Sequence, residues 1–108
     1  MPQSFIKPLA NLIITGSATA SNRIGSLKDA RAIGIFAGAT AFTGTIKIQV
    51  APVSGGAMRD LTSAGADVTL QAGDCLVITD IVFEQLRLLS SASEAARRVF
   101  AAVKRFEA

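Results

Sequence analysis

The stretch SSASEAARRVFAAVKRFEA, Ser90–Ala108, decides the fold because it satisfies two periodicities at once. As a helix, Ser91 and Glu94 have the spacing of a capping box. At about 100° per residue, Val99, Phe100, Val103 and Phe106 then share one face, with Arg97, Arg98, Lys104 and Arg105 opposite. As a strand, Val99, Ala101 and Val103 fall on one side and Phe100, Ala102 and Phe106 on the other, with SASEAA as the loop before them. Local propensity taken alone favours the helix.

Upstream of this stretch the pattern is that of strands. In TGTIKIQVAPV, Ile46, Ile48 and Val50 alternate with Thr45, Lys47 and Gln49, as a half-buried antiparallel strand requires, and Pro52 marks its end or an edge. Leu12–Thr15 is a candidate strand between turn formers. Ile33 and Ile35 flank Gly34, where a neighbouring backbone could come close. Gly55-Gly56 suits a turn needing positive φ, followed by a short strand around Met58 to Leu61. SAGAD and QAGD read as further turns around Val68 and Leu70. CLVITDIVF is apolar on both parities and reads as a strand buried on two sides. FEQLRLLSS shifts parity near Glu84, which suggests a bulge or bend. Short strands with turns every eight to twelve residues are the signature of an antiparallel β-sandwich or barrel, a jelly roll being one such arrangement.

A chain of 108 residues is about one domain, able to bury a core yet leaving net stability of only about 5–15 kcal/mol. MPQSFIKPLA, with two prolines and little periodicity, reads as an extended arm over residues 1–10, ordering only against something else. Residues 11–108 then form a single β-sandwich domain. The arm reads either as a disordered terminus or as a segment that docks on a neighbouring subunit; Phe5 and Ile6, which gain stability only by burial, about 1.5–3 kcal/mol each if complete, favour docking. The early apolar patch is too short for a signal peptide core or a membrane span, and a soluble protein is expected.

The chemistry classes can be weighed in turn. Cys75 is the only cysteine, histidine is absent, and Asp74 beside it would raise rather than lower the thiol pKa, so Cys75 reads as strand filler rather than a nucleophile. The same counts leave no disulfide within the chain and no zinc site. Asp60, Asp67, Asp74 and Asp80 are scattered over turns and strand ends, not clustered around a cation. Asp80 and Glu84 could be paired as glycosidase acids only on paper, and without Trp or Tyr there is no sugar-stacking platform. No phosphate-cradling glycine loop is present. The net charge of +3, from eleven Lys and Arg against eight Asp and Glu, is mild. Only the helical reading of the tail gathers a basic face fit for nucleic acid or an anionic membrane, and it lacks interleaved aromatics. No enzyme, no cofactor, no metal and no small-molecule substrate is therefore expected, and a nucleic-acid or membrane partner is disfavoured; a small basic nucleic-acid- or membrane-surface-binding protein using the tail helix stays as the second alternative.

Three segments, IGIFAGATAFTGTIKIQV, LTSAGADVTLQAGDCLVI and FEQLRLLSSASEAARRVF, together resemble small structural proteins of tailed bacteriophages, the β-sandwich head decoration or cement proteins. The likeness covers about two-thirds of the chain. AGDCLVI is also similar to the turn-strand element of cupin jelly rolls, but the histidines that hold the cupin metal are missing. The phage resemblance implies that the tail forms two final strands joined by a small-residue loop, and the tail is read as strand on that ground, with the helix as the competing structure. It further implies a structural virion protein that acts as a homo-oligomer on the major capsid protein or other virion proteins, with a neck, tail or fibre-attachment component as the alternative. Repetition by symmetry would multiply modest contacts. Phe5 and Ile6 on the arm, and Arg23, Ile24 and Leu27 in the loop 16–30, are the candidate contact residues.

Overall fold

Alternating β-branched residues between glycine turns settle into two antiparallel sheets in the computed structural model, which describes residues 4–107. The first sheet runs β1 (Ser4–Pro8), β11 (Arg98–Glu107), β3 (Ala32–Phe36), β9 (Cys75–Thr79), and β2 (Leu12–Ile14) also pairs with β11. The second runs β10 (Gln85–Ser90), β4 (Ile46–Ala51), β5 (Arg59–Asp60), with β8 (Thr69–Leu70) also on β4. A small hairpin joins β6 (Thr62–Ser63) to β7 (Ala66–Asp67). Leu12, Ile14, Ile33, Ile35, Ile46, Ile48, Leu86, Leu88 and Phe100 are fully buried between the sheets. The alternation in Ile46–Val50 thus has the expected inward parity.

The tail is a strand, and no helix occurs among the described residues. β11 takes β1 and β2 on one flank and β3 on the other, so every residue from Arg98 to Glu107 has a strand partner and Val103–Arg105 have one on each side. Phe100 and Ala102 point into the core while Val99 and Ala101 face out, the parity of the strand reading. Helix propensity is a weak preference that tertiary pairing overrides. The pairing also changes the reading of the arm. Residues 4–8 order against the chain's own β11, Ser4 opposite Glu107 through Pro8 opposite Val103, and residues 1–3 lie outside the described residues.

Glu94 does not cap a helix. Its side chain is fully buried and accepts hydrogen bonds from the Thr43 and Gly44 amides (both 2.9 Å), the Ser90 hydroxyl (2.7 Å) and Arg98 Nε (2.9 Å). One carboxylate therefore ties the β3–β4 loop to both ends of the β10–β11 loop. Gly44 is required there, since a Cβ would lie 2.4 Å from Ser90 Oγ and 2.7 Å from the Ala92 amide nitrogen. A second tie, Lys104 Nζ to Ser26 O (3.0 Å) and Asp29 Oδ1 (2.8 Å), pins the loop after β2 beneath β11.

Two further segments depart from the sequence reading. CLVITDIVF is not one strand buried on both sides: β9 ends at Thr79, Asp80 adopts φ 56°, and residues 81–84 cross to the second sheet. β9 is an edge strand with Cys75, Val77 and Thr79 exposed, so Cys75 sits in a strand but on its open side. No bulge at Glu84 is needed, because the change of parity is a change of sheet. Above Gly34 there is room rather than a close backbone; a Cβ would meet only the side chains of Val103 at 3.4 Å and Phe36 at 3.5 Å.

Two measurements check this account of the fold. Burial alone would push the Glu94 carboxyl upward, but the two loop amides, Ser90 and Arg98 outweigh it and hold it at about 2, below its usual 4.5. The folded state then binds this proton less tightly than the unfolded chain, so its stabilisation is complete above about pH 4.5 and is lost as pH falls toward 2, on the order of 3 kcal/mol in all. Urea unfolding across that window should show the loss in the native chain and a flatter profile in Glu94→Gln. In the β6–β7 turn both Ala64 (φ 54°) and Gly65 (φ 82°) are left-handed, a conformation that costs a non-glycine residue about 1 kcal/mol. Ala64→Asn should raise the urea midpoint, by roughly 0.5–1 kcal/mol of stability.

Candidate assembly surface

The two sheets differ in how their edges are treated. β10 is an edge in strand order, but the segment 19–24 runs along it. Ser21 N donates to Leu88 O (2.9 Å), Ser90 N to Thr19 O (2.8 Å), and Ile24 and Leu86 exchange two bonds of 2.9 and 3.0 Å. Ser21 Oγ accepts a further bond from Leu88 N at 2.8 Å. This irregular cover satisfies the β10 backbone and turns Ile24 inward.

The first sheet is left open at both ends. Among the described residues neither the outer side of β1 nor that of β9 has a strand against it. β9, CLVIT, has no charge, proline or bulge of the kind that blunts an edge. Its outward residue Val77 is 61% exposed, and Ile6 on β1 is 67% exposed. Between them, on the outer face, lie Val103, Gly34 and the half-exposed Phe36, lining a shallow trough of about 200 Å³. Inward of β9 the sandwich does not close: a cleft of about 410 Å³ lies between β9 and β5, lined by Val50, Leu61, Ile78, Val82 and Phe83 among others.

The five residues singled out from the sequence separate clearly. Phe5 and Ile6 are exposed on β1, with Phe5 stacked on Phe106 at 5.7 Å between ring centroids. Arg23 is exposed but occupied within the chain, its Nη1 donating to Gly56 O (2.8 Å) and Gln85 Oε1 (3.2 Å). Ile24 and Leu27 are core residues, 3% and 0% exposed. Loop 16–30 therefore seals an edge with its apolar side chains and does not present them. Val77, Phe36 and Val99 were missed. The only signal was CLVIT being apolar on both parities, which edge exposure satisfies as well as two-sided burial does.

Among the described residues no three His, Cys, Asp or Glu side chains are grouped to hold a metal. The strongly held carboxylate, Glu94, is closed off by its own donors. Among the described residues no helix is long and apolar enough to cross a membrane. What the surface can do is bury apolar area and complete a sheet.

Because Val77 and Ile6 face solvent, Val77→Ser and Ile6→Ser should each change stability by no more than about 0.5 kcal/mol, whereas Ile78→Ser, one residue along and buried, should cost on the order of 2–4 kcal/mol. Equilibrium unfolding in urea measures all three.

No protein-family model matches the sequence, and no curated protein matches it. Solved structures do share the fold. The chain is similar to the SPBc2 prophage-derived protein YomS, with TM-score 0.60 at 10% identity over 97% of this chain and 95% of that one. It is also similar to a chain described in work on Bacillus endospore appendages, a family of disulfide-linked pili, with TM-score 0.55 at 18% identity over 99% of this chain and 90% of that one. A chain of the cyanophage Pam1 capsid asymmetric unit aligns with TM-score 0.47 at 13% identity, over 98% and 85% of the two chains. At these identities the likeness is one of fold.

Proposed function

We propose that this protein is a non-enzymatic structural subunit of a tailed-bacteriophage particle, a decoration protein that binds the major capsid protein and reinforces the head lattice. The observation that carries the reading is the uncharged, unblunted edge at β9 beside an apolar outer face, on a domain whose buried charges, Glu94 and Lys104, are committed to holding its own loops. An isolated soluble domain gains nothing from such an edge and risks aggregation; a subunit of an assembly uses it. The shared fold of a prophage-derived protein and a pilus-family chain supports a role built on association. So does the sequence resemblance to head decoration proteins.

Each contact in this mode is modest, and affinity comes from repetition over a symmetric lattice. Docking through sheet surface and backbone is insensitive to any one polar side chain.

The test is addition of the purified, fluorescently or gold-labelled chain to particles of the phage that encodes it, imaged by electron microscopy. Regular label over the head at many copies per particle is the expected result. Label confined to the neck or tail would assign the chain to that apparatus instead, and particles without label would overturn the virion reading.

A further inference from the structure

The open edges of the first sheet are complementary to each other. In strand order, β1 is antiparallel to β11, β11 to β3 and β3 to β9. β1 and β9 thus run in opposite directions at the two ends. A second copy placed beside the first in the same orientation would bring its β1 against β9 as an antiparallel pair, the stronger kind of ladder. Both strands are five residues long. We propose that copies of this chain join head to tail through β9 of one and β1 of the next, continuing the sheet across the junction.

Parity and charge select the register. The inward residues of β9 are Leu76 and Ile78, and those of β1 are Phe5 and Lys7. Setting Phe5 of the next copy opposite Ile78 puts Ile6 opposite Val77, Lys7 opposite Leu76 and Pro8 opposite Cys75. Phe5, 41% exposed in the single chain, then projects toward the cleft of about 410 Å³ lined by Ile78, Leu61 and Phe83. Ile6 and Val77 cover each other on the outer face. Lys7 of the next copy comes within diagonal reach of Asp74, an exposed residue immediately before β9. Pro8, the last residue of β1, has no N–H to donate, so the ladder across the junction lacks one bond at its Cys75 end and rests on the pairs from Lys7 back.

The alternative of β9 pairing with a second β9 is disfavoured on the same grounds. An antiparallel self-pair centred on Val77 would bring Asp74 of each copy, just before β9, toward Asp80 of the other, just after it, and like charges facing each other at both ends of the ladder oppose the pair. It would also leave the cleft without an aromatic to fill it. A head-to-tail junction is heterologous, so its copies close into a ring where the rotation permits and otherwise extend. The inference does not depend on the virion reading, since it concerns contacts between copies rather than the surface they decorate.

Cys75 provides the probe. The full chain carrying Pro8→Cys, with Cys75 retained, is concentrated, treated with a mild thiol oxidant and run on a denaturing gel without reductant. A ladder of dimers, trimers and longer chains is expected, because each copy then carries one thiol at each end of the junction. The ladder should vanish when Val77→Lys is added, although that variant keeps the β-sheet circular dichroism of the single chain. It should not form when Ser63→Cys, on the exposed β6–β7 hairpin, replaces Pro8→Cys. Absence of a ladder from Pro8→Cys would overturn the proposal, as would one equally strong from Ser63→Cys. Wild-type Cys75 dimers that stop at two chains would mean that β9 pairs with itself, and would also overturn it.

Discussion

A carboxylate can be taken out of water only where enough donors meet it, and the burial of Glu94 organises this molecule. Its donors come from three segments: the Thr43 and Gly44 amides about fifty residues upstream, the Ser90 hydroxyl at the end of β10 and Arg98 at the start of β11. Satisfying one side chain therefore fixes where the β3–β4 loop sits, where β10 ends and where β11 begins. With its start held there, β11 runs between β1 and β2 on one side and β3 on the other, and becomes the strand on which the first sheet is built. Lys104, buried further along β11, repeats the device with Ser26 and Asp29. Both ties spend charge on positioning loops.

The same economy explains the contrast between edges. Segment 19–24 covers β10 with backbone hydrogen bonds and delivers Ile24 and Leu27 to the core, at the expense of a long loop. On the second sheet's outer face, Arg87 donates to Gln49, Gln49 to Asp60, and Lys47 pairs with Asp60, a polar chain suited to solvent. The first sheet has neither provision. Its outer face carries Ile6, Phe36, Val77 and Val99, and its β9 edge carries no charge. Protection of one sheet and exposure of the other within 108 residues gives the domain a closed side and a side for association.

Much of this was legible in the sequence where a period decides the matter. The alternation of Ile46, Ile48 and Val50, and the turns at Gly55, Ala64-Gly65 and Gly73, appear in the structure at those positions. The tail was ambiguous because its alanines and its Ser91–Glu94 spacing fit a helix, and two of the donors that claim Glu94, the Thr43 and Gly44 amides, lie about fifty residues upstream. Only the family resemblance pointed to the strand. The cover over β10 has no period to read, since its bonds come from irregular backbone, and so Ile24 and Leu27 looked like loop residues free to make contacts. Phe5 and Ile6 were visible as apolar residues near an end. Val77 was not, because an edge strand awaiting a neighbour and a strand buried on both faces have the same composition.

The central claim is that β9 is an open edge in the single chain and a paired strand in the assembly. Backbone amide hydrogen exchange at low and high protein concentration measures this directly. In the dilute chain the amides of Cys75–Thr79 that point away from β3 should exchange fast, while those of β10, covered by segment 19–24, are protected. On concentration the β9 amides should become protected and β10 should not change. Fast exchange along β9 at every concentration, or protection already complete in the dilute monomer, would contradict the account.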